Sequence, residues 1–188
     1  MSAQSDNAKV RLGDVEMHEF YLNYTEVGKP IIRIALGSLI DCTQRKTFTP
    51  KGPNNEELET CNLTGDIGFM DVVLRQENVP QPGITAYSLK NFWVTDALTV
   101  LSLAIEPEYQ IMKRGYGSVL MQKAEEIARE DGRDYVVIDN IVNPLLAQMA
   151  GRRGYLLSRS EHRAVKDLNS SFSWLPDHLR MRVMATRV

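Results

Sequence analysis

The sequence predicts an α/β protein built around a mixed sheet, and three observations lead to this class. The middle of the chain contains apolar, partly β-branched runs that are typical of strands. The second half alternates strand-like with helix-like segments. The chain has 188 residues, of which 43% are hydrophobic and 24% charged, as in one domain with an apolar core. Strands followed by a strand–helix–strand–helix–strand succession indicate helices packed on a mixed sheet.

The N-terminal third gives the weakest pattern. Residues 1–9 are polar and are expected to be a flexible N-terminus, with a single domain over residues 10–188. "VEMHEFYLNY" has a loosely helical spacing of apolar residues after a candidate cap, Asp14, and predicts a helix. "PIIRIALGSLIDC" fits either a helix begun by Pro30 or a strand. "TFTPKGPNNEELE" predicts a loop.

The middle of the chain predicts three strands. "DIGFMDVVL" is the first, and "PQPG" ends it. "ITAYSLKNFWV" and "LTVLSLAIE" are the next two, with Thr95-Asp96-Ala97 as the hairpin turn between them. Because "LTVLSLAIE" is apolar at nearly every position, we expect a central strand that is buried on both faces.

The second half predicts two helices and three strands. Gly115 to Asp131 carries one apolar stripe and forms a helix that Gly132 ends. "PLLAQMAGRRG" is the second helix, with Pro144 as its first residue and Asn143 as its cap. "DYVVID", "YLLS" and "HLRMRVMATRV" are the strands, the last with its arginines directed outward.

The segment "IMKRGYGSVLMQKAEE" places Gly115-Tyr116-Gly117 between a buried strand and a helix. The first N–H groups of a helix lack intrahelical acceptors and carry a partial positive charge, so they bind anions. Glycines let the backbone come close to a ligand, and Lys113 and Arg114 add positive charge. The loop therefore predicts a phosphate site. The alternative is that the two glycines only form a tight turn.

Two other phosphate-binding motifs do not fit this loop. The Rossmann motif requires G-x-G-x-x-G, but Leu120 occupies the third glycine position. No acidic residue closes a matching strand about 20 residues further on. The Walker motif, G-x-x-x-x-G-K-[ST], is absent from the sequence.

From Gly115 onward, the chain resembles the GNAT acetyltransferase superfamily, whose pyrophosphate loop reads roughly Q/R-x-x-G-x-G/A between a strand and a helix. The downstream segment "NPLLAQMAGRRGY" places Asn143, Met149, Gly154 and Tyr155 on the family's second motif, in which an Asn precedes a short helix. The two motifs cover about residues 98–157 in the family's order and spacing. The resemblance implies a GNAT-like domain with a mixed, mostly antiparallel sheet and a splayed pair of central strands.

The resemblance also implies an acyl-CoA co-substrate, most often acetyl-CoA, and no metal. The pantetheine arm would pair with backbone where the strand ending near Glu106 parts from the strand Tyr135–Asp139. The cofactor-binding residues that it implies are Ile105, Gln110, Lys113, Arg114, Gly115, Tyr116, Gly117, Ser118 and Asn143. Asn143 fits a plain helix cap equally well.

Three positions depart from the family pattern. Met112 stands where Gln or Arg is usual, and the preceding segment is longer, so Gln110 is assigned that role across an insertion. Thr99 stands at the position of the frequent Glu base, and Ala150 at that of the frequent Tyr acid. Acyl transfer to an amine needs a neutral amine and a stabilised thiolate, and each proton-transfer group contributes about 10²–10⁴-fold. The usual acid and base are therefore missing.

Two residues are the candidate substitutes for the missing groups. Glu106 ends the central strand and is the candidate base, acting directly or through water; the alternative is a solvated loop acid. Tyr155 begins the next strand and is the candidate acid, the alternative being a core aromatic. His162, in the polar segment "SRSEHRAV", is a weaker candidate for either role.

Composition excludes several other classes of protein. The net charge of −2 and the pI of about 6.0 do not indicate a general affinity for nucleic acid or anionic membranes. The two cysteines have no metal-ligand spacing and do not form a disulfide framework, so we expect a reduced, cytoplasmic location. No segment approaches 18 consecutive apolar residues, so no membrane partner is expected.

The leading hypothesis is an acyl-CoA-dependent N-acyltransferase that acts on a small-molecule or peptide amine. The alternative is a catalytically impaired protein of the same fold that serves a binding or assembly role, as a homo-oligomer or with a protein partner. A third reading has "HLRMRVMATRV" and Arg152-Arg153 bind nucleic acid, but exposed arginines on an edge strand more often keep it soluble and unpaired. Nucleic acid is therefore not expected as a partner.

Overall fold

The computed structural model describes residues 9–24, 28–41, 63–80, 92–158 and 162–169. A short 3-10 helix, Leu12–Asp14, precedes the first strand. The strands are β1 (Met17–Tyr24), β2 (Pro30–Leu36), β3 (Leu39–Asp41), β4 (Leu63–Gly65), β5 (Gly68–Pro80), β6 (Phe92–Ile105), β7 (Tyr135–Ile138), β8 (Leu156–Ser158) and β9 (Arg163–Asp167). The helices are α1 (Pro107–Ile111), α2 (Tyr116–Glu130) and α3 (Pro144–Arg152).

The described strands form a seven-stranded sheet in the order β1-β2-β5-β6-β7-β9-β8, and β3 pairs separately with β4. The β1–β2, β2–β5, β7–β9 and β8–β9 registers are antiparallel, whereas β6 and β7 are parallel. The parallel register covers Ala97–Val100 against Tyr135–Ile138, while β6 itself continues to Ile105. The predicted α/β class with a mixed, mostly antiparallel sheet is confirmed.

The chain divides into two compact units. The first comprises residues 1–73 and 102–124, and the second comprises residues 74–101 and 125–188. In the first, β2 pairs with β1 and with the start of β5, and Ile34, Leu36 and Met70 are fully buried. In the second, Val79, Ala97, Tyr135, Val137 and Val165 form a core cluster. A single domain over residues 10–188 stays a prediction.

The predicted N-terminal helix is wrong. The segment forms β1, in which Met17 to Tyr21 pair with Leu36 to Ile32 of β2. The apolar spacing of "VEMHEFYLNY" is only loosely helical, and pairing with a neighbouring strand supplies the backbone hydrogen bonds that a helix would otherwise provide. The ambiguous segment after Pro30 is likewise a strand, and Gly37, at φ +88°, ends it in a turn.

The predicted hairpin turn at Thr95-Asp96-Ala97 is also wrong, because β6 runs through it without interruption. Asp96 is tolerated within a strand because its side chain is largely exposed and forms an ion pair with Arg133 at 3.1 Å. Ala97 faces inward and is fully buried. Burial on both faces is confirmed for Ala97 to Val100, whereas residues 101–105 are half-buried.

Most predicted elements of the second half are confirmed. α2 spans nearly the predicted range, and Gly132, at φ +68°, follows its end. α3 begins at Pro144 and has Asn143 as its N-cap. In this half of the chain, the structure adds two elements that the sequence did not predict, α1 and β9.

Several predictions fall outside the described residues. They are the flexible N-terminus (apart from Lys9), the loop "TFTPKGPNNEELE", most of "ITAYSLKNFWV" and the last strand, "HLRMRVMATRV". None of the helices that the structure describes combines the length and apolar character needed to cross a membrane.

Candidate functional site

The glycine loop that precedes α2 has the geometry of an anion-binding turn. Lys113 and Gly115 have positive φ angles of 51° and 92°. The first helical hydrogen bond runs from the Val119 N–H to the Gly115 carbonyl at 3.1 Å. The N–H groups of Tyr116 and Gly117 therefore precede the intrahelical hydrogen bonds and point out of the helix end. Such groups, with the partial positive charge of the helix, are suited to an anion.

The N-terminal segment runs beside this loop. The Val10 N–H donates to the Arg114 carbonyl at 3.0 Å. The Lys9 ammonium donates to the Lys113 carbonyl at 2.5 Å. A methyl group placed on Gly115 would lie 3.9 Å from the Lys9 side chain. Lys9 therefore adds a third positive charge to the loop, and sequence reasoning missed it because it is distant in the chain.

The end of β6 is held in the same unit by short backbone contacts. The Glu106 N–H donates to the Ile67 carbonyl at 2.9 Å, and the Glu106 carbonyl accepts from Tyr109 and Gln110 at the start of α1. The Glu106 side chain makes no capping hydrogen bond and is half-buried. The Gln110 amide donates to the Ile105 carbonyl at 2.5 Å. Gln110 thus holds the strand end, and it lies in α1.

A cavity of about 420 Å³ lies beside the loop in this first unit. Arg114 and Tyr116 of the loop line it, together with Lys9 and Val10. The rest of the lining comes from three places in the chain: Asp14, Val15 and Glu16; Gly37 and Ser38; and Asp66 and Ile67. This volume is within the range of small-molecule sites.

Asp66 is the lining residue whose position is most unusual. Its Oδ1 is buried and has no hydrogen-bond partner among the described residues. Its N–H donates to the Ser38 carbonyl at 2.9 Å, which fixes its backbone. Tyr109 and Tyr116 stack edge to face, with ring centroids 5.6 Å apart. Burial raises the pKa of the Tyr109 hydroxyl, and the negative charge of Asp66 raises it further.

Asn143 lies in the second unit, at the start of α3. Its side-chain oxygen accepts a hydrogen bond from the Leu145 N–H at 2.9 Å. This is the N-cap geometry that one of the two readings predicted. The neighbouring Val142 and Leu145 are exposed, at 73% and 66%. Contact with a CoA arm stays a prediction.

Tyr155 is buried in the second unit, with 5% of its surface exposed. Its hydroxyl donates to the Glu125 carboxylate at 3.3 Å. Desolvation raises the pKa of Tyr155 well above its ordinary value, and the charge of Glu125 acts in the same direction. The Lys166 ammonium lies 5.5 Å from the ring centroid. These contacts favour the core-aromatic reading over the acid that the sequence suggested.

Thr99 is fully buried in the second unit and donates to the Glu77 carboxylate at 2.8 Å. Glu77 also pairs with Arg75 at 2.5 Å and with Arg163 at 2.6 Å. Asp139 forms ion pairs with the same two arginines, with Arg75 at 2.7 Å and with Arg163 at 3.0 Å. The contact with the Arg163 Nε is an ion pair only, because its N–H is not aligned for a hydrogen bond. These four charged side chains form a network that links β5, β9 and the end of β7.

The structure also places the other two residues that depart from the acetyltransferase pattern, and the weaker catalytic candidate His162. Met112 is the C-cap of α1 and is 49% exposed. Ala150 is fully buried, and its carbonyl accepts from the Tyr155 N–H at 3.0 Å. His162 is exposed, with a positive φ of 50°, and its carbonyl accepts from the Ile141 N–H at 2.6 Å.

The structure thus brings most of the predicted site residues into one unit and leaves two in the other. Asn143 and Tyr155 belong to the second unit. The first unit holds Ile105, Glu106, Gln110, Lys113, Arg114, Gly115, Tyr116, Gly117 and Ser118. Across the described part of the chain, no three His, Cys, Asp or Glu side chains are grouped so as to hold a metal ion.

Comparison of the sequence with protein-family models and with curated proteins found no match. Among solved structures, a mutant of the AtaT toxin is 14% identical, with a TM-score of 0.45, over 74% of this chain and 68% of that one. AtaT complexed with acetyl-methionyl-tRNAfMet is 11% identical, with a TM-score of 0.44, over 81% of this chain and 95% of that one. The KacTA–DNA complex is 12% identical, with a TM-score of 0.41, over 83% and 74%. Likeness at this level identifies neither a family nor a ligand for this chain.

Proposed function

We propose that the protein is an acyl-CoA-dependent N-acyltransferase that uses acetyl-CoA to acylate an amine. One observation carries the proposal, the loop Lys113–Ser118 at the start of α2. It combines a left-handed Gly115, the helix N-terminus and the positive charges of Lys113 and Lys9. This arrangement suits the pyrophosphate of CoA.

The acyl end of the co-substrate is expected beside the end of β6. Leu103 and Ile105 offer half-buried apolar surface there, and α1 leads directly from this strand end to the loop. An uncharged pantetheine arm suits such a surface, whereas free phosphate gains nothing from it. This is the reason for preferring acyl-CoA to a smaller phosphate ligand.

The reaction joins the amine nitrogen to the thioester carbon and breaks the carbon–sulfur bond. A protonated amine first loses a proton to the base. The neutral nitrogen then attacks, the sulfur leaves as a thiolate and takes a proton, and the nitrogen releases its extra proton. We assign the base to Glu106, whose half-buried side chain is not used as a helix cap. We assign no proton transfer to Tyr155 in this proposal, because its hydroxyl donates to Glu125.

Thermal unfolding with increasing acetyl-CoA tests the proposal. A ligand at 100 times its Kd stabilises the folded state by about 2.7 kcal/mol. We expect such stabilisation with acetyl-CoA and a much smaller one with inorganic pyrophosphate at the same concentration. An unchanged unfolding temperature at millimolar acetyl-CoA would refute the acyl-CoA assignment.

A second function, a catalytically impaired binding protein, is favoured by one observation. The positions of the usual base and acid hold Thr99 and Ala150, which are fully buried and cannot ionise near neutral pH. The two functions differ in thiol release. An enzyme releases free CoA when a panel of amines is added to the acetyl-CoA complex, whereas a binding protein shows the thermal shift without any release.

A further inference from the structure

Tyr109 lies in the middle of α1, the short helix between the end of β6 and the glycine loop. Its N–H donates to the Glu106 carbonyl at 3.0 Å, so its backbone is bonded to the residue that we assign as the base. Its ring packs edge to face on Tyr116 of the loop, with the ring centroids 5.6 Å apart. Tyr109 therefore contacts both the residue proposed to take the proton and the loop proposed to hold the pyrophosphate.

The hydroxyl of Tyr109 is the part of this side chain that is not engaged. It has no hydrogen-bond partner among the described residues, although the residue is half-buried. In the described part of the chain, only the Asp66 Oδ1 and the Arg163 Nε are side-chain atoms buried without such a partner. The Tyr109 hydroxyl is therefore accessible from outside the protein, on a ring that its contacts hold in place.

The other tyrosines whose side chains the structure describes lack this combination. Tyr116, Tyr135 and Tyr155 are buried. The Tyr155 hydroxyl also donates to Glu125. Tyr21, on β1, is exposed and has no ring contact with another described residue. Of these tyrosines, Tyr109 alone has both a ring held by a neighbouring aromatic and an accessible, unengaged hydroxyl.

Acyl transfer needs a proton donor beside the thioester. The sulfur leaves with the electron pair of the carbon–sulfur bond, and a donor that protonates it lowers the barrier. Because α1 begins where β6 ends, its first turn lies next to the position proposed for the acyl group. Burial raises the pKa of the Tyr109 hydroxyl, and the charges of Asp66 and Glu108 raise it further. The phenol therefore keeps its proton at neutral pH and can donate it.

We propose that Tyr109 is a catalytic residue that donates its hydroxyl proton to the sulfur of the departing CoA. The assignment rests on the acyltransferase function proposed above. When the carbon–sulfur bond breaks, its electron pair stays on sulfur, which takes the Tyr109 proton and leaves as the thiol. The amine nitrogen then releases its extra proton, which returns to the phenolate through water. Glu106 and Tyr109 thus supply the base and the acid from one turn of α1.

Tyr109→Phe is the central variant, because it keeps the ring against Tyr116 and removes only the hydroxyl. The rate of thiol release from acetyl-CoA, with propylamine, 1,4-diaminobutane or 2-phenylethylamine as acceptor, should fall about 10²–10⁴-fold. The acetyl-CoA Kd and the unfolding temperature should not change, since the hydroxyl has no partner in the described part of the chain. Tyr21→Phe removes a hydroxyl from an exposed tyrosine and should react like the wild type. Equal rates for Tyr109→Phe and wild type would overturn the assignment.

The leaving group separates proton donation from packing. S-acetyl-N-acetylcysteamine releases a basic alkyl thiolate, whereas S-(4-nitrophenyl) thioacetate releases a weakly basic thiolate that needs no proton. The defect of Tyr109→Phe should be large with the first donor and nearly absent with the second. An equal defect with both donors would show that Tyr109 acts through packing, and would contradict the proposal.

A binding experiment tests the assignment without an acceptor amine. In protein labelled with ¹³C at the tyrosine ζ carbon, the Tyr109 signal is identified by its absence from Tyr109→Phe. At saturation, CoA should move this signal more than desulfo-CoA does, in which hydrogen replaces the thiol. Equal shifts with both ligands bound would remove Tyr109 and leave the acyltransferase function in place. If CoA did not change the unfolding temperature, the acyltransferase function would fail, and the role of Tyr109 with it.

Discussion

The hydroxyl of Thr99 and the carboxylate of Glu77 lie 2.8 Å apart in a hydrogen bond between two buried side chains. Thr99 occupies the position at which the acetyltransferase resemblance expects a carboxylate base. A carboxylate is therefore present next to that position, but it comes from β5. Both of its oxygens are taken, one by Arg75 and Thr99 and the other by Arg163. Glu77 is a structural anchor of this network.

Glu77→Gln should destabilise the fold. Removing one partner of an isolated buried ion pair costs about 3–5 kcal/mol. Because Arg75 and Arg163 keep Asp139 as a second partner, the cost here should lie below that range but above that of a surface ion pair. Thr99→Val removes a single hydrogen bond from an acceptor that keeps two arginines, and should cost about 1 kcal/mol. Denaturant unfolding of each variant measures both values.

The control for this pair is Asp96→Asn. Asp96 pairs with Arg133 at the surface, with 58% of its side chain exposed. Its loss should lower the free energy of unfolding by less than about 1 kcal/mol. If Glu77→Gln cost no more than this surface variant, the network would not stabilise the fold.

Glu125 should make the second unit sensitive to acid. Burial raises the pKa of its carboxyl, but hydrogen bonds from Arg153 and Lys166 outweigh this, so the net shift is downward. A lowered folded-state pKa gives stability that is present above the unfolded value and is lost as pH falls through the folded value. The loss should therefore begin below the ordinary value of 4.5.

Glu125→Gln tests this linkage through unfolding free energies measured across the acid range. The variant should be less stable than the wild type at neutral pH, and the gap should narrow as the pH falls below about 4.5. The control is Glu126→Gln, at the adjacent acid, which is half-buried. Its free energy of unfolding should change with pH as steeply as that of the wild type. A constant gap at all pH values would mean that Glu125 acts through packing alone.

Sequence patterns predicted those elements whose own residues determine them. α3 carries Pro144 and a capping Asn143 in adjacent positions, and α2 has both an apolar stripe and a stop at Gly132. The predictions of a helix at β1 and of a turn at Asp96 were wrong for the opposite reason. Pairing with β2 determines the conformation of β1, and an ion pair with Arg133 stabilises Asp96 within a strand. Partners distant in the chain leave no local signal.

The same distinction applies to the candidate site. The glycine loop is contiguous, so the sequence placed Lys113 to Ser118 correctly at a helix start. Asp66 and Lys9 reach the same unit from distant parts of the chain. The only local hints were an acid in a short turn after Gly65 and a basic residue in a polar terminus. Neither pattern distinguishes a site from a solvated loop.

Gly115→Ala should weaken acetyl-CoA binding. The residue has a φ of 92°, and the nearest atom to an added methyl group is 3.9 Å away, so the cost is backbone strain rather than collision. Relaxing that strain moves the amides that are proposed to hold the pyrophosphate. The acetyl-CoA-induced rise in unfolding temperature should therefore fall or disappear.

Gly154→Ala is a close control for this variant. Gly154 has a φ of 86°, with no atom within 4 Å of an added methyl group among the described residues. It should lose about 1–2 kcal/mol of stability, as expected for a non-glycine residue in this conformation, and keep the response to acetyl-CoA. If acetyl-CoA raised the unfolding temperature of both variants equally, the loop would not be part of the acetyl-CoA site.

Glu106→Gln tests the proposed base. The substitution keeps the size of the side chain and its backbone contacts with Ile67 and α1, so acetyl-CoA affinity should not change. The rate of thiol release at saturating amine and neutral pH should fall about 10²–10⁴-fold, the usual contribution of a general base. Raising the pH should restore part of the rate, because more of the amine is then neutral without help from the enzyme.

Glu108→Gln provides the comparison. Glu108 is an exposed acid in the first turn of the same helix, and its loss changes the local charge by the same amount. A field effect on the positive loop would raise acetyl-CoA affinity in both variants and slow neither reaction. A base at residue 106 slows only Glu106→Gln, and the defect shrinks as pH rises. Equal rates for wild type and Glu106→Gln across the whole pH range would assign proton removal to another group or to solvent.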